Sequence, residues 1–161
     1  MVDYLLSYNN GVLKEKSFKG CMNLLHTKIP VSIIIIEQSA FFGCSMLQSI
    51  VLPPGLKSIE ELAFNGCASL TQVTIPKLIT KISPSCFCGC KSLQKIIFED
   101  PSQITEIGDF AFKNCISLSE MNFSNSVVRI GIYTFYCCTS LRKINFEANS
   151  SLKEIERHAF D

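Results

Sequence analysis

The chain has 161 residues, of which 47% are hydrophobic and 18% are charged, and its formal net charge is +1. This balance offers neither a basic patch for nucleic acid nor an acidic tail. The longest purely apolar run, residues 33–36, is far shorter than the ~20 residues that cross a bilayer. The amino end lacks the basic start of a signal peptide. We therefore expect no membrane insertion and no visible export signal, in what we expect to be an excerpt of a longer protein.

One motif, Ala-Phe-x-Gly-Cys-x-x-Leu, recurs along the chain and is clearest at residues 63–70. Its phenylalanines follow one another every 23–25 residues, at Phe18, Phe41, Phe64, Phe87, Phe112, Phe135 and Phe160. A fixed period of this length is typical of a solenoid of stacked units that share one core. We therefore predict one domain over residues 1–161, with about six repeats of 23–25 residues and a partial repeat at each end.

The chain is predicted to open inside a repeat, because Met1, Tyr4 and Leu6 precede Leu13 at the spacing found in later copies. The first half of each full repeat then reads Leu-x-x-Ile-x-Ile. This alternation predicts a short strand with one buried face. Proline closes three of these segments, at Pro30, Pro53 and Pro76.

The second half of each repeat begins with two apolar residues three positions apart and then enters the motif. Residues 60–64 are long enough for one helical turn, and Gly66 follows where a helix commonly ends in a left-handed residue. Asn114 and Cys137 fill this glycine slot in later copies, and Cys137 is the unusual choice. Two repeats carry two extra residues each, at 99–103 and 147–151, and both insertions have turn-like composition.

The nine cysteines are unevenly placed, and six of them occupy the same slot of successive repeats: Cys21, Cys44, Cys67, Cys90, Cys115 and Cys138. A column of this kind indicates buried free thiols used as small apolar side chains. The rung spacing of ~5 Å would allow disulfides by distance, although parallel side-chain directions disfavour them. Cys86, Cys88 and Cys90 form a local cluster that could supply the sulfur atoms of a reactive-thiol or metal site. The repeat register instead places Cys86 and Cys90 inward and Cys88 outward, with Cys88 and then Cys137 the most exposed thiols.

These residues resemble the BspA-like class of leucine-rich repeats, which is found in bacterial and protozoan surface proteins. The resemblance covers essentially the whole chain and is most specific at residues 57–76 and 107–123. It implies an α/β, β-rich, right-handed solenoid arc, with a parallel β-sheet on the concave face and short helical turns opposite. It also implies a recognition or adhesion module that binds extracellular-matrix, host or cell-surface proteins, located at the cell surface or outside the cell. The cysteine column would equally suit a reducing cytoplasm.

No catalytic, metal or cofactor site is predicted. The two histidines, His26 and His158, lie six repeats apart, or roughly 30 Å at the usual strand spacing, and cannot share a site. Asn122 and Asn149 begin Asn-x-Ser acceptor patterns for a glycan. Asn149 lies in an insertion, whereas a glycan on Asn122 would obstruct the sheet.

The sheet face is the predicted protein-binding surface, since its outward side chains run along the whole array. By position these residues are His26, Lys28, Ser49, Val51, Gln72, Thr74, Lys95, Ile97, Glu120, Asn122, Lys143 and Asn145. Two alternatives stay open: a structural role in which uncapped ends self-associate into a homo-oligomer, and the thiol or metal site at residues 86–90.

Overall fold

The computed structural model describes residues 10–161, which form thirteen short β-strands in two rows. Each repeat contributes one strand to each row, and every strand pair is parallel. The first row consists of β2 (His26–Lys28), β4 (Ser49–Val51), β6 (Gln72–Ile75), β8 (Lys95–Phe98), β10 (Glu120–Phe123) and β12 (Lys143–Phe146). The second row consists of β1 (Val12–Leu13), β3 (Ile35–Ile36), β5 (Ser58–Ile59), β7 (Lys81–Ile82), β9 (Glu106–Ile107), β11 (Arg129–Ile130) and β13 (Glu154–Ile155).

The first row is the strand predicted from Leu-x-x-Ile-x-Ile, but it is not one continuous sheet. It consists of three ladders, β2–β4, β6–β8 and β10–β12, that lie side by side. The second row, which the sequence did not predict, pairs as β1-β3-β5 and as β13-β11-β9-β7. Within each ladder, a residue pairs with its counterpart one repeat away, as Thr74 does with Ile97. The predicted role of Met1, Tyr4 and Leu6 lies outside the described residues.

The predicted helical turn is not confirmed, because residues 61–66 form consecutive turns and residues 10–161 contain no helix. Leu62 and Gly66 have φ of 60° and 74°, which a right-handed helix cannot contain. The N–H groups of Leu62, Phe64 and Gly66 point along the stack and donate to carbonyls of the following repeat: Pro84, Cys86 and Cys88, at 3.2, 2.9 and 2.8 Å. The α/β assignment is therefore corrected to a parallel β-solenoid of about six turns.

Donors that flank the strands of the second row point the other way. Lys57 N–H donates to the carbonyl of Ile34 at 2.8 Å, and Glu60 N–H donates to that of Ile36 at 2.9 Å, both in the preceding repeat. Hydrogen bonds therefore join each interior coil to its neighbours on the turn side as well as along the strand rows.

The left-handed glycine slot is confirmed, and the two other residue types found there, Asn114 and Cys137, have φ of 61° and 59°. Glycine serves conformation here, since a Cβ built on Gly66 would meet its nearest neighbour at an ordinary 3.5 Å. A second left-handed residue lies four positions earlier in each repeat and was not predicted. These residues are Lys16, Ser39, Leu62, Ser85, Phe110, Tyr133 and His158.

The core is a set of side-chain columns that run along the solenoid. The motif phenylalanines stack nearly face to face, with ring centroids 5.0–5.6 Å apart from Phe18 through to Phe135. Phe41, Phe64, Phe87, Phe112 and Phe135 are at most 1% exposed. Burial of one aromatic ring in each interior coil makes that coil depend on both of its neighbours.

Candidate functional site

All twelve residues of the predicted binding surface lie on the first strand row, and we refer to these twelve as the sheet face. Period-two alternation explains their position, because intervening residues such as Ile50 and Val73 point into the core. Ten of the twelve are exposed, while Ile97 and Asn145 are half-buried. Val51 is an apolar side chain with 55% of its surface exposed. The role of these residues in binding stays a prediction.

Polar side chains link neighbouring coils across the sheet face. His26 Nδ1 lies 2.9 Å from Ser49 Oγ. Asn122 donates to Glu120 at 2.8 Å, and Asn145 donates to the amide oxygen of Asn122 at 2.6 Å. Side chains held by their neighbours lose less conformational entropy on binding, so this part of the surface is preorganised.

Two depressions are lined by sheet-face residues. One of about 370 Å³ is lined by Ser49, Val51, Gln72 and Thr74. A groove of about 410 Å³ brings together Lys95, Ile97, Asn122 and Asn145. A further cavity of about 520 Å³ lies at the last coil beside Phe135 and Phe160, and of the sheet face only Lys143 lines it.

The cysteine column consists of free thiols, and all nine cysteines of the chain are unpaired. Five of the column thiols donate to the carbonyl of the phenylalanine in the previous repeat at 3.0–3.3 Å: Cys44, Cys67, Cys90, Cys115 and Cys138. Cys21 is half-buried, contrary to its predicted place in the buried column.

Burial raises the pKa of the Cys44 and Cys138 thiols to about 12. It also raises the pKa of the other buried thiols, those of Cys67, Cys86, Cys90 and Cys115. A thiolate is the form that attacks electrophiles and binds metals, so this environment opposes both reactions.

The cysteine side chains at residues 86–90 have the inward and outward positions that the repeat register predicted. Cys86 and Cys90 are buried and Cys88 is half-buried, as is Cys137. Burial also raises the pKa of Cys88, against the opposing effects of Lys113 and Asn65. Within residues 10–161, no group of three or more His, Cys, Asp or Glu side chains is arranged to hold a metal ion.

The histidines are held in separate places. His26 contacts Ser49 on the first strand row. His158 pairs with Asp161 and stacks on Tyr133 with centroids 4.8 Å apart, at the other end of the stack. Of the glycan acceptors, Asn149 is exposed in a turn, whereas Asn122 lies on β10 and is hydrogen-bonded to its neighbours.

A charge cluster on the second strand row was missed by the sequence reasoning. The Arg129 guanidinium faces four carboxylates, those of Glu106, Asp109, Glu154 and Glu156, at 2.8–3.7 Å. Partial burial of Arg129 opposes its charge, but hydrogen bonds with Asp109 and Glu156 raise its pKa above the ordinary value. Alignment of the repeats could have revealed the cluster, because Glu106, Arg129 and Glu154 occupy one slot.

The chain matches the sequence profile described as the BspA type Leucine rich repeat region, in six copies over residues 12–101 and 98–161. No curated protein sequence matches it significantly. Within the described residues there is no helical segment with the length and hydropathy of a membrane span.

Three solved structures resemble the chain. A leucine-rich cell surface protein from Faecalibacterium prausnitzii is 26% identical, with a TM-score of 0.73 over 87% of this chain and 37% of its own. The pneumococcal vaccine antigen PcpA is 28% identical, with a TM-score of 0.71 over 78% of this chain and 31% of its own. A leucine-rich repeat protein from T. pallidum is 28% identical, with a TM-score of 0.59 over 81% and 71%. With its profile matches covering residues 12–161, the chain belongs to the BspA-type leucine-rich repeat family.

Proposed function

We propose that the chain is a non-enzymatic recognition module that binds a protein partner through the sheet face. One observation carries the proposal: the outward side chains of six neighbouring strands form one exposed surface with apolar side chains, Val51 and Ile97, among polar ones. Solenoids use extended surfaces of this kind to bind other proteins. The separation of the histidines and the raised thiol pKa values support a role without catalysis.

The partner that we propose is an extracellular-matrix, host or cell-surface protein, and the module itself is proposed to be displayed at a cell surface. Two similar structures support this location, since one is described as a cell surface protein and the other as a vaccine antigen. The chain spans about a third of the length of each, so the activities of the whole proteins are not transferred.

A negative charge introduced on the sheet face by substitution is expected to abolish binding of the partner without unfolding the chain. Val51→Glu and Ile97→Glu each place a carboxylate where an apolar contact is expected, and we predict a loss of roughly tenfold or more in affinity. Binding would be measured by surface plasmon resonance against purified extracellular-matrix and cell-surface proteins. Val31→Glu is the matched control, because Val31 is 75% exposed and lies off the sheet face. Unchanged binding by both variants would show that the surface is wrongly assigned.

Self-association is a second candidate, favoured by apolar side chains at the last coil. Phe146, Ile155 and Phe160 are 38%, 50% and 41% exposed, and the cavity of about 520 Å³ lies beside Phe160. Burial of these side chains against a second copy would contribute favourable apolar free energy. Sedimentation velocity is then expected to show a concentration-dependent dimer that Phe160→Asp weakens. A strict monomer throughout the micromolar range would exclude this candidate.

A further inference from the structure

The groove of about 410 Å³ lies where the array departs from its repeat. The two insertions, residues 99–103 and 147–151, follow the carboxyl ends of β8 and β12. Strand β10 lies between β8 and β12. Asp100 and Ser102 of the first insertion and Glu147 of the second line the groove. A coil of regular length lacks these longer loops, so this groove is a local feature within the otherwise repetitive sheet face.

The groove has an apolar floor. Ile97 and Phe98 are half-buried, and Phe146 is 38% exposed. The Phe146 ring is held by stacking on Phe123 with centroids 5.3 Å apart, and Phe123 is itself 1% exposed. Exposed apolar surface on rigid rings is suited to contact with the apolar part of a partner side chain.

The charges of the lining residues are separated along the strands. Two carboxylates, Asp100 and Glu147, lie at the loop end. Glu147 Oε2 accepts the Asn125 N–H at 3.1 Å, which fixes this carboxylate. Lys95 is the cation among the lining residues, and it stands at the amino end of β8, about 10 Å from Phe98 at the usual rise per residue. The loop end is therefore an acidic rim beside apolar rings.

We propose that this groove takes an arginine or lysine side chain from an extended segment of the protein partner, an inference that rests on the proposed function of the sheet face. The apolar stem of such a side chain covers Phe98 and Phe146, and its charge lies at Asp100 and Glu147. Long basic side chains combine these two properties, whereas an acidic side chain is repelled and an aliphatic one leaves the carboxylates without a counter-ion. Asn122 and Asn145, beside the floor, keep hydrogen-bonding capacity for the peptide groups of the same segment.

A phage-displayed library of random dodecapeptides, selected on the folded protein, tests the proposal. We expect enriched peptides to carry arginine or lysine next to an apolar residue. Their affinity should fall about tenfold or more on the double variant Asp100→Asn/Glu147→Gln. Glu15→Gln/Glu61→Gln is the matched control, because it removes two exposed carboxylates from a separate acidic depression. Replacement of the basic residue by norleucine should cause the same fall, and the two changes should not add.

The outcomes separate this proposal from the one on which it rests. Peptides that shift the amide resonances of sheet-face residues but bind without a basic residue overturn the groove assignment alone, as do peptides that keep their affinity on the double variant. Peptides whose shifts map away from the sheet face count against both proposals. A library that yields no enriched peptide also overturns the groove assignment, while the glutamate variants of Val51 and Ile97 still decide the wider function.

Discussion

Replacement of Phe64 by alanine is expected to lower the free energy of unfolding by about 3–5 kcal/mol, as for other fully buried aromatic residues. The Phe64 ring has no exposed surface and stacks between Phe41 and Phe87, with centroids 5.2 and 5.4 Å away. Its loss therefore weakens the contacts of one coil with both neighbours. Phe160→Ala should cost much less, because Phe160 is 41% exposed.

Urea unfolding followed by circular dichroism measures these differences, and Phe87→Ala provides a second interior position with the same surroundings as Phe64. A quasi-one-dimensional array predicts that the two interior variants behave alike and that the variant of the last coil stands apart. Equal losses at Phe64, Phe87 and Phe160 would contradict a linear array.

The second large effect is expected at alkaline pH and comes from the buried thiols. All six buried thiols have raised pKa values in the folded chain: Cys44, Cys67, Cys86, Cys90, Cys115 and Cys138. A raised pKa means that the folded state keeps protons which the unfolded state releases above pH ~8.5. The stabilisation is therefore complete below that pH and is lost as the pH rises toward the folded values, which begin at about 12. With six such groups, the free energy of unfolding falls by about 8 kcal/mol per pH unit where the fall is steepest.

Urea midpoints from pH 7 to pH 10.5 measure this loss. The double variant Cys67→Ala/Cys90→Ala is the control for other groups that titrate in this range. We compare how steeply the free energy of unfolding of each protein falls with pH from its own value at pH 7. The slope for the double variant should be about two-thirds of that for the parent chain, because four of the six thiols remain. Equal slopes in the two proteins would show that the thiols do not govern alkaline unfolding.

The repeat register could be predicted from the sequence because the core residues are repeated. The columns that contain Phe64, Cys67 and Leu70 recur at one spacing, and this spacing also places the strand ahead of each motif. Side chains along each predicted strand alternate between the core and the surface. Together with the repeat register, this alternation identified all twelve sheet-face residues as surface positions of the first strand row. Their binding role, and the boundaries of the domain, remain proposals, because neither a partner nor independent folding follows from a column of side chains.

The turn side could not be predicted because its conformation is imposed from outside the repeat. Leu62, Phe110 and Tyr133 adopt positive φ, although their residue types give no local signal for it. The N–H groups of these residues are held by carbonyls of the next coil, as Leu62 is by Pro84 at 3.2 Å. Local propensity instead predicts a helical turn, and hydrogen bonds between coils override it. Two-residue strands such as β5 are similarly too short to produce an alternating pattern.

The direction of the hydrogen bonds on the turn side has an electrostatic consequence. Leu62, Phe64 and Gly66 donate toward the following coil, and the equivalent residues of other coils do the same. Peptide dipoles aligned in one direction add up along a helix, where they place partial charges at both termini. The strand ladders contribute only a small net dipole, because successive strand dipoles alternate in direction. The turn side is therefore an aligned column of peptide groups with its positive end toward the later coils, and each coil that stacks in register lengthens this column.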